Sequence, residues 1–161
     1  MRRARSRTSH PAALLCYAIA MLIAGAFALA ADDAAAQKDL AQLAGEWQMV
    51  SGVADGFSIP DEMARNFKRA CKDGEVTVTN GPQLVMRAKI TVDPTKTPKT
   101  IDFQIIDGPT KGKTQLGIYE LKDDQLKSCF GAPDAARPTD FASKPGDAWT
   151  LTVWKRKPAK D

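Results

Sequence analysis

Short stretches in which apolar and polar residues alternate dominate the second half of this chain, and they restrict its fold more than any other feature. The clearest stretch has Leu84, Met86, Ala88, Ile90 and Val92 on one face and Val85, Arg87, Lys89 and Thr91 on the other. A period of two predicts a β-strand with one buried face. Similar alternation recurs in four later segments: Ile101–Ile105, Thr114–Leu121, Gln125–Phe130 and Trp149–Trp154.

Turn signals separate these strands at short intervals. Asp73-Gly74 and Asn80-Gly81 are typical of tight hairpins, and Asp123-Asp124 marks another reversal. Upstream, Gly45–Val53 predicts a first strand, and Pro60 with Asp61-Glu62 predicts a short helix that runs to about Arg69. About eight antiparallel strands avoid exposed edges best by closing. We therefore predict an all-β antiparallel barrel over residues 40–157, preceded by a flexible lead-in at 32–39 and followed by a tail at 158–161.

The first 31 residues predict a signal peptide. Arg2, Arg3, Arg5 and Arg7 precede the uncharged run Ala12–Ala31, and Ala28-Leu29-Ala30 offers a small-x-small cleavage site. A second cleavage site follows Ala36, and an uncleaved membrane anchor is the alternative. The run is rich in alanine, which favours cleavage and leaves no membrane span. We expect an exported protein, periplasmic or secreted.

Removal of this segment changes the charge balance. The chain has 23 basic and 19 acidic side chains, and loss of the four arginines leaves 19 of each. A neutral mature chain lacks the basic footprint of a nucleic-acid-binding protein. The single histidine, His10, also lies in the segment, so the mature chain has no imidazole for nucleophilic catalysis or for the usual zinc sites. The sequence predicts neither a metal nor a cofactor.

Two features of the sequence are candidate catalytic elements. Asp102 and Glu120 lie on neighbouring predicted strands, where they either form a carboxylate pair or belong to solvated strand faces, which are more common. The segment Gly108–Thr114 is one residue short of a phosphate-binding loop and precedes a strand, whereas phosphate binding needs a helix N-terminus. Neither feature predicts catalysis, and we expect a protein that is not an enzyme.

The mature chain keeps two cysteines, Cys71 and Cys129. In an exported protein they either pair as a disulfide or remain two buried thiols that act as small apolar residues. A disulfide would close a long loop and would stabilise the fold by about 4 kcal/mol. The sequence leaves both alternatives open.

Several motifs in order resemble one family. They are Leu43-Ala44-Gly45-Glu46-Trp47, Asp93-Pro94-Thr95-Lys96, Gly117-Ile118-Tyr119-Glu120-Leu121 and Arg137-Pro138-Thr139-Asp140-Phe141. The chain resembles the uncharacterised lipocalin-like domain first catalogued in planctomycete bacteria, over residues 40–157. The resemblance implies an eight-stranded barrel in an exported protein and no reaction. The chain departs from the family pattern at Arg69-Ala70-Cys71-Lys72, where an apolar strand start is usual.

The resemblance also implies a role for Trp47. In such barrels this residue closes one end, and a basic side chain from the last strand covers its ring. Arg156 or Lys155 would supply that cover here. The alternative is an ordinary core tryptophan beside a solvated basic tail.

An eight-stranded barrel is either filled by its own side chains or leaves room for one small ligand. Large side chains on the predicted inner faces are candidates for lining such a cavity: Met49, Met86, Phe103, Tyr119, Phe130 and Trp149. We predict a module that binds a small apolar or amphipathic molecule inside the barrel. The alternative is an envelope protein-interaction or structural module with a filled core, acting through the proline-rich loop 131–146.

Overall fold

A computed structural model describes residues 32–158. The predicted signal peptide, with His10 and Cys16, and the last three residues of the tail lie outside this range. The elements in chain order are α1 (residues 32–43), β1 (Gly45–Ala54), β2 (Phe57–Ser58), α2 (Asp61–Ala64), β3 (Phe67–Lys72), β4 (Glu75–Asn80), β5 (Gln83–Asp93), β6 (Lys99–Asp107), β7 (Thr114–Lys122), β8 (Gln125–Phe130) and β9 (Thr150–Arg156).

Eight of the strands form a closed antiparallel barrel. The strand order is β1-β3-β4-β5-β6-β7-β8-β9, and β9 returns to pair with β1 from Trp47↔Arg156 to Ala54↔Thr150. The two-residue strand β2 is an additional hairpin partner of β1. The predicted fold class is therefore confirmed.

Tight turns at Asp-Gly pairs make the short connections possible. Asp55 and Gly56 have φ of 50° and 80°, and Asp73 and Gly74 have φ of 51° and 75°. Positive φ at both central residues is the type I′ geometry, whose twist matches that of the strands on either side. Aspartate tolerates this conformation and glycine adopts it freely. These dipeptides therefore fix the register of the first hairpins.

Helix α1 closes one end of the barrel, which we call the closed end. Leu43 is fully buried, and Ala36 and Leu40 pack against the core. The prediction of a flexible lead-in at 32–39 was wrong, because these residues form most of a docked helix. Asp39 anchors it: its Oδ2 accepts hydrogen bonds from Tyr119 Oη at 2.6 Å and Lys99 Nζ at 2.7 Å. No helix among residues 32–158 is both long and apolar enough to cross a bilayer.

The helix after β1 is shorter than predicted. It ends at Ala64, and the next residues form β3, in which Phe67, Arg69 and Cys71 face inward. The spacing of Met63 and Phe67 fits one turn of a helix, but the alternation of inward and outward residues from Phe67 to Cys71 is that of a strand. β3 pairs with both β1 and β4. A helix over these residues would satisfy its own backbone but would leave the facing edges of β1 and β4 unpaired.

Cys71 and Cys129 are free thiols, so the disulfide alternative is wrong. Cys71 faces the barrel interior. Cys129 lies on the outer face of β8, since its neighbours Ser128 and Phe130 point inward. The loop that follows β8 buries it, and its Sγ contacts Ala142 O at 3.3 Å. The barrel wall separates the two sulfur atoms. Burial raises the pKa of both thiols, that of Cys129 to about 11, which keeps them protonated at neutral pH.

Candidate functional site

A cavity of about 200 Å³ lies inside the barrel at the end opposite helix α1, which we call the open end. Side chains from β1, β3–β9 and the segment before α2 line it. Nine of them are apolar: Met49, Ile59, Phe67, Val78, Val85, Met86, Phe103, Phe130 and Trp154. Five are polar or charged: Arg69, Gln115, Ser128, Thr150 and Thr152.

Two aromatic rings shape one side of the cavity. The rings of Phe103 and Phe130 stack with centroids 4.4 Å apart and planes at 27°. Phe130 is paired in register with Gly117, where an added Cβ would overlap the Phe130 ring. The missing side chain at Gly117 therefore lets Phe130 lie flat against β7 instead of filling the interior.

The Arg69 guanidinium forms part of the cavity wall and is the most unusual group in the barrel. The residue is only 2 % exposed, and Nε and Nη2 have no hydrogen-bond acceptor among the atoms of residues 32–158. Its Cζ lies 5.7 Å from the centroid of the Phe103 ring, a weak cation–π contact. Burial lowers the pKa of Arg69 to about 10, so the group stays charged at neutral pH.

Hydroxyl groups line the part of the wall formed by β8 and β9. Ser128 Oγ and Thr152 Oγ1 are 3.0 Å apart, and Trp154 Nε1 donates to Thr152 Oγ1 at 2.9 Å. All three side chains are buried. The arrangement orients the Trp154 indole and gives the apolar cavity a polar patch besides Arg69.

The structure brings four of the six predicted lining residues together: Met49, Met86, Phe103 and Phe130. Tyr119 faces inward but lies at the closed end, where it bonds Asp39. Trp149 precedes β9 on the outward face, because Thr152 and Trp154 are the inward residues of that strand. The prediction that these two residues line the cavity was wrong.

Sequence reasoning missed Trp154 and Arg69 in the cavity wall. Trp154 was missed because the prediction placed Trp149 on the inner face of the last strand. Trp149 and Trp154 lie on opposite faces, and their hydropathy does not show which of the two faces inward. Arg69 was missed because the helix predicted to run to about Arg69 hid the alternation of the inward residues Phe67, Arg69 and Cys71.

The closed end has a different chemistry. The Arg156 guanidinium lies 4.1 Å from the centroid of the fully buried Trp47 ring, and it donates to the carbonyl oxygens of Ala44 and Gln42 at the end of helix α1. Trp47 Nε1 donates to Leu43 O at 3.0 Å. Lys155, the other candidate cover, is exposed. These contacts fasten the helix to the barrel.

The two candidate catalytic features lie away from the cavity. Asp102 points outward and forms a bidentate ion pair with Arg137 of the long loop, and Glu120 is exposed. The segment Gly108–Thr114 connects β6 to β7 as a hairpin loop. Among residues 32–158 no group of three or more His, Cys, Asp or Glu side chains is arranged to hold a metal ion.

A second, larger depression of about 690 Å³ covers β1, β3 and β4. Most of its lining consists of outward-facing residues such as Glu46, Lys68, Thr77 and Thr79. A groove on the outside of the wall lacks the apolar enclosure of a small-molecule site. The interior cavity is therefore the candidate binding site.

Comparison of the chain with models of protein families, with curated proteins and with solved structures finds no significant match. The resemblance to the lipocalin-like family thus remains a prediction from sequence motifs, and the functional argument depends on the geometry of the barrel.

Proposed function

We propose that this protein binds one small apolar or amphipathic molecule in the open end of its barrel. The observation that supports the proposal is the interior cavity, walled mainly by apolar and aromatic side chains with a few polar groups. This composition is typical of small-molecule sites in proteins. A barrel filled for stability alone would have closed this space at the density of an ordinary protein core.

The volume limits the size of the ligand. A dry cavity of about 150 Å³ holds a benzene molecule, and this one measures about 200 Å³. A single ring with one small polar substituent fits, as does a short aliphatic chain. A long-chain lipid would have to extend through the open end into solvent.

The rim of the open end is apolar. Phe57 on β2 is 70 % exposed and Met63 on α2 is 48 % exposed. Ile59, between them in the chain, packs over Gly52 and lines the cavity. Apolar side chains at the entrance favour the approach of an apolar ligand, because they shed ordered water when it arrives.

We further propose that the protein acts outside the cytoplasm after signal cleavage at Ala30. Cleavage at this site would leave helix α1 whole. Cleavage after Ala36 would remove the first turn and the Ala36 contact with the core. N-terminal sequencing of the mature protein should therefore find Ala31 as its first residue, and a chain that begins at Gln37 would contradict this assignment.

A pair of matched substitutions tests ligand binding. Val78→Phe enlarges an inward side chain of the cavity wall, and Val50→Phe makes the same change at an outward position that is 50 % exposed. We expect toluene, benzamide and hexanamide to change the intrinsic tryptophan fluorescence of the wild type and of Val50→Phe, because Trp154 lines the cavity. This change should be lost in Val78→Phe. Circular dichroism checks that both variants are folded, since overpacking costs about 1–3 kcal/mol.

Binding that is equal in all three proteins would place the ligand elsewhere. No binding of any small molecule by the wild type would contradict the proposal and favour an interaction module that works through its surface.

A further inference from the structure

We propose that the ligand of the barrel is a small organic monocarboxylate whose carboxylate group pairs with Arg69. This inference rests on the proposed function, and it adds the charge and the orientation of the ligand. It depends on three properties of Arg69: its depth in the barrel, the lack of a compensating anion, and the identity of its two unbonded atoms.

Arg69 is held deep in the barrel by the strand register. It pairs with Trp47 of β1 and with Val78 of β4, one inward layer below Phe67 at the open end. Its head reaches across the interior to Phe103 on β6. The guanidinium therefore lies in the wall of the cavity, not at its exposed rim, and any molecule that fills the cavity must meet it.

No acidic side chain of residues 32–158 balances this charge. The only buried carboxylate in this range is Asp39, which is bonded to Lys99 and Tyr119 at the closed end. Cys71 is the nearest ionisable neighbour, and burial raises the pKa of its thiol, so it is neutral at neutral pH. A buried charge without a partner is strongly unfavourable in a folded protein, and such groups mark functional sites.

The two unbonded atoms suit a carboxylate. Nε and Nη2 form one edge of the guanidinium, and their N–H bonds point in parallel. This edge matches the two oxygens of a carboxylate in a bidentate pair, which shortens and strengthens both hydrogen bonds. An alcohol or an amide would satisfy only one of the two donors without neutralising the charge.

The surroundings favour a monoanion with an apolar body. One carboxylate would neutralise one guanidinium, whereas a phosphate dianion would bring a second, unbalanced charge into an apolar space. The remaining wall, with Met49, Met86, Phe130 and Trp154, suits a ring or a short chain. Benzoate and hexanoate have the required charge and fit the limit set by the volume.

Calorimetric titration of matched acid and amide pairs tests the inference. We expect benzoate to bind the wild type about 10- to 100-fold more tightly than benzamide, as a charge-assisted pair predicts, and hexanoate to show the same preference over hexanamide. Arg69→Met should bind benzoate no more tightly than benzamide, and circular dichroism checks that this variant is folded. Lys68→Met, which removes one positive charge from the outward face of the same strand, should leave the preference intact.

The outcomes separate the two proposals. Equal affinity of acid and amide for the wild type would overturn the carboxylate assignment and leave ligand binding standing. Acetate or chloride binding as tightly as benzoate would overturn it as well, in favour of an anion site without an apolar subsite. Failure of all four organic probes, acids and amides alike, would overturn both proposals. A preference for the acids that survives Arg69→Met would exclude Arg69 as their partner.

Discussion

Replacement of Arg69 by methionine should stabilise the ligand-free protein, although it changes one of the most buried side chains of the barrel. Burial lowers the pKa of Arg69 from its ordinary value to about 10, which corresponds to a penalty on the order of 3 kcal/mol on the charged form. The cation–π contact with Phe103 offsets about 1 kcal/mol, because 5.7 Å is near its outer limit. Methionine has an unbranched side chain of similar length, adapts to irregular space and needs no hydrogen-bond partner.

The expected gain in the free energy of unfolding is therefore about 2 kcal/mol, or a rise in Tm of roughly 6–10 °C for a domain of this size. Urea unfolding at neutral pH measures this gain. An unchanged m-value would show that the substitution does not alter the amount of surface exposed on unfolding. Lys68→Met serves as the control and should change stability by less than about 0.5 kcal/mol. Saturating benzoate should stabilise the wild type and leave the Arg69→Met variant unchanged.

A loss of stability of 1 kcal/mol or more in ligand-free Arg69→Met would refute this reasoning. It would mean that the guanidinium finds partners in solution that satisfy Nε and Nη2, and that Arg69 is a structural residue. A gain in stability together with a loss of carboxylate binding would instead show a site that is kept at a cost to the fold, as is common where function requires a strained group.

Three further substitutions test other parts of the structure. Arg156→Met should lower the free energy of unfolding by about 2–3 kcal/mol, because it removes the cover of Trp47 and two hydrogen bonds to the end of α1. Lys155→Met is the control. Equal effects of the two substitutions in thermal unfolding would contradict the assignment of Arg156 as the cover of Trp47. Asp39→Asn should cost about 2 kcal/mol at pH 7. Burial alone would raise the pKa of Asp39, but hydrogen bonds from Lys99 and Tyr119 hold the pKa below its ordinary value. The ionised carboxylate therefore stabilises the fold above about pH 4, and this stabilisation is lost as the pH falls further, so the stabilities of the wild type and Asp39→Asn should converge in acid. A difference in stability that stays constant down to pH 2 would contradict this reasoning. Gly117→Ala should lower the free energy of unfolding by about 1–3 kcal/mol and weaken benzoate binding, because the added Cβ would overlap Phe130 and lie 2.9 Å from Cys129 O. If calorimetry finds that this variant binds benzoate as tightly as the wild type, Phe130 moves away from the cavity.

The barrel could be predicted from the sequence because local and global signals agree in its second half. The alternation from Leu84 to Val92 is the buried and exposed pattern of β5, and Asp73-Gly74 forms the predicted tight turn. Each strand needs only its own period and a turn at each end to be recognised. Closure follows from the number of strands and from the cost of an exposed edge.

The parts that failed depend on contacts distant in sequence. The sequence of residues 32–39 is typical of a linker. The helix they form is docked by the hydrogen bonds of Asp39 with Lys99 and Tyr119, which lie 60 and 80 residues away in the chain. One tryptophan precedes β9 and another lies within it. Only the pairing of β9 with β1 and β8 decides that Trp154 points inward and Trp149 outward.

The candidate site was therefore predicted in part. Its apolar wall follows from alternation, which is why Met49, Met86, Phe103 and Phe130 were found. Its charged group, Arg69, was not predicted. A single arginine in a short segment does not reveal whether it faces inward or outward until the strand is assigned. Arg69 became visible as a buried residue only when β3 replaced the predicted helix.

Native mass spectrometry of the protein, purified from cells that express the full chain, tests the central claim most directly. We predict one bound molecule per protein, released by organic extraction as a small acid of about ten non-hydrogen atoms, as the cavity volume allows. The same purification of Val78→Phe should give the bare mass. A bare wild-type mass that does not change when benzoate, hexanoate and their amides are added would contradict the claim that this barrel holds a ligand.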